Sequence, residues 1–343
     1  GFEGECAQEI EAHAQHVNYF GYSKAQKKQG FVAFHTYEAE HAYQLIEQLD
    51  FSQLVFARQW FAGLAFDSLP QADRVSPLLA LIDELPQQSF HFLQVESPDT
   101  ESGKALQAFC RKFTAPLASA LKKREILQKS SKKHNLHLFF TDSSQGYIGY
   151  SPRRNSSPFF MGIDRLKFPA EAPSRSTLKL EEGLRWFLSK EEQSEWLRGG
   201  MKAVDLGAAP GGWTYQMVKR SIWVQAIDNG PMDTSLMNSG IVEHIQADGF
   251  VFKPKKPVDW LICDMIEKPA RVAKLMAKWI AQEQARFALF NLKLPMKKRY
   301  DELQLCFDLM QQQLADEPYR LQAKHLYHNR EEVTVFLTRE TLD

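Results

Sequence analysis

The stretch "AVDLGAAPGGWTYQMVKR" (203–220) holds an acid, four glycine or proline breaks and a tryptophan within one strand-to-helix turn. An apolar run carrying Asp205 stops at Gly207, Pro210, Gly211 and Gly212, then resumes as a helix near Trp213. Such a turn leaves little side chain between its backbone and a ligand, and aims the free N–H groups and positive end of a helix at that ligand. A tight turn required only by packing would have the same composition. Three further acids follow apolar runs: Asp228 after "WVQAI", Asp248 in "IQADGF" and Asp264 after "WLIC". At strand ends they surround one crevice. Asp228, about twenty residues past the glycines, can accept hydrogen bonds from two ribose hydroxyls, and Asp248 can meet a base edge.

That much negative charge would repel a dinucleotide pyrophosphate or a triphosphate, and neither GxGxxG nor GxxxxGK[ST] is present. A cationic sulfonium nucleoside, S-adenosylmethionine, fits better. A second group of residues places charge where a sheet should be apolar. Lys293 lies in "FALFNLKLP", Asp264 follows "WLIC", Glu332 begins "EVTVFLT", and Lys179 lies on the helical stretch "STLKLEEGL". Each alone reads as a snorkelling lysine or a strand-end acid. Two amines and two carboxylates at one sheet end need each other as partners. Lys297, Lys298 and Arg299 beyond them read as a solvated basic turn.

The elements that must position these groups alternate regularly in the second half. Strand candidates "KAVDLG", "WVQAID", "WLICDM", "ALFNLKL" and "EVTVFLT" are separated by helices, with apolar residues at helical spacing over 271–282 and 303–314. This is α/β: a mostly parallel sheet covered on both faces, with ligands beyond the carboxyl ends of its strands. The first half is α+β. "AEHAYQLIEQL", "KALQAFCRKF" and "PLASALKKREIL" read as helices, "GFVAFHTY" as a strand, and "NLHLFFTDSSQGYIGYS" as two strands joined by a polar turn. The start, "GFEGECAQEIEAHA", is a loop entering a helix, so a preceding strand is expected upstream of Gly1. Pro- and Ser-rich text over 151–178 marks a linker between residues 1–150 and 179–343.

At 343 residues the chain has room for two or three domains. No apolar run is long enough to span a bilayer. Four scattered cysteines without a CxxC pair argue against a disulfide scaffold or a zinc site and suit a reducing cytoplasm. Lys+Arg and Asp+Glu balance at 42 each, yet 104–133 carries nine basic residues, Lys104 to Lys133, against Glu125 alone. Arg153 and Arg154 follow. Local potential governs phosphate binding, so this segment, with Phe109 and Phe113 interleaved, reads either as an RNA-facing surface or as a solvated helix with a buried aromatic face.

The residues "DLGAAPGGW", "ICDM", "LKLP" and "REEVTVF", with Lys179 ahead, resemble the Lys–Asp–Lys–Glu tetrad of FtsJ-like ribose 2′-O-methyltransferases. "FARQWF", "FCRKFTAPL", "SPFFMGIDRLKFPAEAPSRSTLKLEE" and "FNLKLPMKKRY" extend the resemblance, across essentially the whole chain, to the large-subunit ribosomal RNA methyltransferase M family. It implies an RNA-binding half (ferredoxin-like plus THUMP) followed by a Rossmann-like class I methyltransferase. The implied reaction is methylation of the 2′-hydroxyl of a cytidine in the peptidyl-transferase region of 23S rRNA. Action before or during large-subunit assembly is expected, with the cytoplasm read from the cysteines and a monomer taken as the default. Carried over by position, it gives Ser176, Ala209, Pro210, Gly211, Gly212, Asp228, Asp248 and Asp264 to S-adenosylmethionine. Lys293 becomes the proton acceptor, with Lys179, Asp264 and Glu332 completing the tetrad; Glu332 is chosen over Glu331 because it directly precedes "VTVF". A free lysine is neutral about one time in a thousand at pH 7. Burial, Lys179 and a sulfonium would favour a neutral Lys293, whereas Asp264 and Glu332 would oppose it. Base and alkoxide-stabilising cation both stay open. Other readings are the same chemistry on a transfer RNA, a nicotinamide dehydrogenase, and a non-catalytic RNA-binding protein of methyltransferase fold.

Overall fold

The computed structural model describes residues 1–315 and 318–341, which divide into two units, Gly1–Ile163 and Asp164 onward. The first unit begins with α1 (Glu3–His16), the hairpin strands β1 (Gly21–Ala25) and β2 (Val32–Thr36), and α2 (Ala39–Gln48). There follow β3 (Ala62–Phe66), α3 (Val75–Asp83), β4 (Leu93–Glu96), α4 (Glu101–Lys123), β5 (His134–Phe140) and β6 (Gly146–Pro152). Their four-stranded sheet has the order β3-β6-β5-β4, with only β4 and β5 parallel. Alternation sends Leu136, Leu138, Phe140, Ile148 and Tyr150 into a core shared with Leu78, Ile82, Leu117 and Leu121 of the helices. The opposite face is polar, and residues 155–163 lie on it: the Gln59 amide donates to the Ser157 carbonyl (2.9 Å) and the Met161 N–H to the buried Glu96 carboxylate.

Two helical segments expected on either side of Pro116 are one helix, α4. Proline removes one N–H, but Cys110, Leu117 and Leu121 stay buried along the same stripe, and their packing carries the helix through. Phe109 and Phe113 stack on each other at 5.7 Å and set their edges against Phe140. They belong to the core side of α4, so the aromatic part of the expected RNA surface is not there.

The second unit runs α5 (Thr177–Phe187), α6 (Lys190–Trp196), β7 (Lys202–Leu206), α7 (Gly212–Val218), β8 (Trp223–Ile227), α8 (Thr234–Met237) and β9 (Val242–Ile245). It continues with β10 (Val258–Cys263), α9 (Pro269–Ala281), β11 (Ala285–Lys293), α10 (Arg299–Leu314), β12 (Arg320–Lys324) and β13 (Glu332–Thr338). The sheet order is β12-β13-β11-β10-β7-β8-β9, and β13 alone runs against its neighbours. Leu180, Leu184, Trp196, Trp213 and Met217 cover one face, meeting Trp260, Ile262, Phe287 and Leu289. Helices α9 and α10 pack together over the other face. From β7 the chain builds outward to β8 and β9, then returns to add β10 on the other side. This reversal opens a crevice between the carboxyl ends of β7 and β10, where α/β sheets take their ligands. Among the described residues no helix is long and apolar enough to cross a membrane.

Candidate active site

The glycine-rich loop 207–212 leaves the end of β7, and its backbone geometry explains its composition. Gly211 has φ +116°, and a Cβ there would fall 2.2 Å from Leu236 Cδ1. At Gly212 a Cβ would fall 2.2 Å from Ser176 Oγ and 2.3 Å from Ser174 Oγ, two hydroxyls 2.6 Å apart. Ser176 therefore sits against the loop, and Ser174, not singled out in the sequence, shares that contact. The Asp228 carboxylate ties the loop to β8, accepting from Ala209 N (3.0 Å) and Gly230 N (2.7 Å). Each oxygen keeps a second lone pair for a ligand. The Ala209–Pro210 peptide is cis.

Asp205 stands at the floor. Fully buried, it accepts a 2.6 Å hydrogen bond from Thr214 Oγ1. Burial pushes its carboxyl from the ordinary 3.8 up to about 7; the Thr214 bond opposes this, and the charges of Asp264 and Asp228 add to the rise. Three acids thus feel one another across the crevice. Asp248 lies to the side: it is exposed, and its Oδ1 accepts from Phe250 N (2.8 Å), while neighbouring Gly249 lies against Met265 and Leu206.

Helix α5 brings Lys179 to the same end. Gln216 Nε2 donates to Thr177 Oγ1 (2.8 Å) and Arg220 pairs with Glu181 (2.7 Å), fixing α5 against α7. Lys179 Nζ lies 2.5 Å from Glu332 Oε1 and 3.4 Å from Asp264 Oδ2. Burial alone would raise Glu332, but the hydrogen bond and charge of Lys179, with the backbone N–H groups of Arg330 and Glu331, hold it below its ordinary value. Burial raises Asp264, partly offset by Lys179 and by a 2.8 Å bond from Asn291 Nδ2. Asn291 is oriented in turn by Thr334, whose Oγ1 donates to its Oδ1 (2.7 Å).

Lys293 is the last residue of β11 and pairs in register with Glu332, so both side chains leave the same face of the sheet. Unlike the other three it is exposed, and it makes no ion pair among the described residues. The burial expected of it is not found in the protein alone. The basic turn beyond it differs from expectation as well: Arg299 is mostly buried, bonds Pro295 O (3.2 Å) and pairs with Glu331, which separates Glu331 from the site. Asn291 and Thr334 are the polar groups that sequence reasoning missed. Their signal was the period-two spacing Asn291/Lys293 and Glu332/Thr334 in strands otherwise apolar.

On the first unit, exposed Arg111, Lys112, Lys122 and Lys123 line the outer side of α4. Lys104 pairs with Glu101, and Arg124 makes two bonds to Asp83 (2.7 and 2.8 Å).

Three family descriptions match the chain: RlmM ferredoxin-like domain over 1–61, ribosomal RNA large subunit methyltransferase M N-terminal over 73–152, and FtsJ-like methyltransferase over 172–318. The N-terminal half is thus described as a ferredoxin-like domain and the family's own N-terminal domain; the THUMP label expected of it is not one these descriptions carry. Over its length the chain is 50% identical to a protein of Proteus mirabilis (strain HI4320), covering 98% of this chain and 94% of that protein. It is 49% identical to one of Vibrio parahaemolyticus (98% and 96%) and 46% identical to one of Pseudoalteromonas translucida (98% and 94%). All three are named ribosomal RNA large subunit methyltransferase M. FtsJ-like methyltransferases use S-adenosylmethionine, and the glycine cradle among mutually repelling carboxylates fits that cation where a pyrophosphate would add to the repulsion. With 98% of its length aligned to these relatives, the chain belongs to the ribosomal RNA large subunit methyltransferase M family.

Proposed function

We propose that the protein methylates the ribose 2′-hydroxyl of a cytidine in the peptidyl-transferase region of 23S rRNA. The reading is carried by one observation: Lys179 is held by both Asp264 and Glu332, while Lys293, in register with Glu332, is left unpaired beside them. Bound S-adenosylmethionine supplies an activated methyl carbon on a positively charged sulfur. Ser176, Ala209, Pro210, Gly211, Gly212, Asp228, Asp248 and Asp264 would hold it. In-line displacement demands above all that the ribose oxygen be aligned with that carbon. Lys179 is a positioning group, since its charge is spent on two carboxylates. Lys293 meets the 2′-hydroxyl: as the amine it accepts the proton, and as the ammonium it stabilises the forming alkoxide.

The first unit would hold the RNA in the manner of a THUMP-type surface, recognising backbone and shape while the target nucleotide is unpaired or extruded. The substrate would be rRNA before or during large-subunit assembly, and the enzyme a cytoplasmic monomer. Mapping 2′-O-methyl positions in rRNA incubated with and without the protein and S-adenosylmethionine tests the reading. One new methyl on a cytidine of the peptidyl-transferase region is the expected result. Labelling of a transfer RNA instead, or no transfer, overturns it.

A further inference from the structure

We propose that the sheet end where β4 and β5 begin is a stacking platform for unpaired nucleotides, centred on Phe92 and Phe160; this rests on the reading that the substrate is RNA. Both rings are large and half in solvent, 45% and 48% exposed, and meet edge-to-face with centroids 6.0 Å apart. Neither fills the core. Leu93 and Val95 of β4 point into it, so alternation puts Phe92 with Gln94 and Glu96 on the opposite face. Phe160 is held out by a fixed backbone: Met161 donates to the Glu96 carboxylate, and at Gly162 (φ +65°) a Cβ would strike the Arg58 carbonyl at 1.8 Å. A chain that spends a buried carboxylate and a left-handed glycine on holding an exposed ring has constrained that ring for contact.

The surroundings select a polyanion. Residues 131–136 run beside Phe92, because His91 N donates to His134 O (2.8 Å) and Leu136 N to Phe92 O (2.8 Å). Gln94 pairs with His137, so Asn135 and Lys133 share the face of Phe92. Arg153 N donates to Lys133 O (2.8 Å), one rung beyond the His134–Pro152 pair, which puts the Arg153 side chain on that face too. Lys132, Lys133, Arg153 and Arg154 are all exposed and form no ion pair among the described residues. Aromatic faces beside unpaired cations are what single-stranded RNA binds: bases stack, and phosphates meet the cations.

Anisotropy titration of a fluorescein-labelled uridine dodecamer at several salt concentrations tests this. The Phe92→Leu/Phe160→Leu variant should bind about tenfold or more weakly with an unchanged salt slope, since stacking is not ionic. Lys133→Gln/Arg153→Gln should flatten the slope by about 1.4, roughly 0.7 per phosphate contact on a single strand. Phe92→Tyr/Phe160→Tyr, keeping the rings, should bind like the wild type. Wild-type affinity in the leucine variant overturns the platform. Should that variant fail to fold, ultraviolet cross-linking of the wild-type chain decides: adducts on peptides containing Phe92 or Phe160 support it, and adducts confined to α4 overturn it. Normal methyl transfer to rRNA by a leucine variant of undiminished affinity refutes the platform alone. Wild-type protein that binds RNA through these rings yet transfers no methyl group refutes the proposed function alone.

Discussion

Lys293 and Glu332 form the final rung of the antiparallel ladder between β11 and β13, yet only Glu332 is claimed by another side chain, the amine of Lys179. The two lysines therefore differ in kind. Lys179 neutralises two carboxylates and holds them in place, whereas Lys293 projects uncommitted beside them. One strand end so contains both a fixed charge scaffold and an uncommitted lysine, the division of labour that the proposed function uses to align and deprotonate a hydroxyl.

Replacing Lys179 by Met would strand both carboxylates. The trio is mostly but not wholly buried, so the loss should be about 2 kcal/mol at pH 7.5, less than for a fully buried pair. Glu332 has its value lowered by Lys179, and its contribution is present above its ordinary value of 4.5 and lost as pH falls through the folded one. Urea denaturation at pH 7.5 and pH 4 should accordingly show the variant's deficit shrinking in acid. A deficit equal at both pH values would contradict the coupling.

Asp205 has the opposite sign. Between 3.8 and about 7 the folded protein keeps a proton that the unfolded chain has released, so this group costs stability as pH rises through that window. Asp205→Asn has no proton to lose and can still accept the Thr214 bond. Its stability relative to wild type should climb between pH 4 and pH 8 by a few kcal/mol, roughly 1.4 for each pH unit that separates the folded and unfolded values. Parallel melting curves across that range would contradict the assignment.

Asp228→Ala should weaken S-adenosylmethionine binding by about tenfold or more, since it removes a charged acceptor and frees the Ala209 and Gly230 amides that fix the loop. Calorimetry reads the dissociation constant directly. An unchanged value would remove Asp228 from the cofactor site.

The parts of this site legible in the sequence were those that break a local rule. Glycines and a proline between a strand and a helix fit a tight turn as well as a ligand cradle, and it was the acids following successive apolar runs that tipped the reading to a crevice. Asn291 and Thr334 escaped notice because a single polar residue inside "ALFNLKL" or "EVTVFLT" reads as noise until register places the two opposite each other. Arg299 looked like part of a solvated run because charge runs usually are; its pairing with Glu331 spans thirty-two positions and is set by the turn into α10. Strand β12 was not read, since "RLQAK" is short and polar and owes its conformation to β13. Pro116 divided α4 on paper, but tertiary packing overrode it. The exposure of Lys293 likewise follows from where β11 ends.

The most direct measurement is transfer of labelled methyl groups from S-adenosylmethionine to rRNA by Lys293→Ala, with cofactor affinity measured alongside. The uncommitted amine predicts loss of transfer while cofactor affinity stays within a few fold of wild type. Near-normal turnover by that variant would contradict the account.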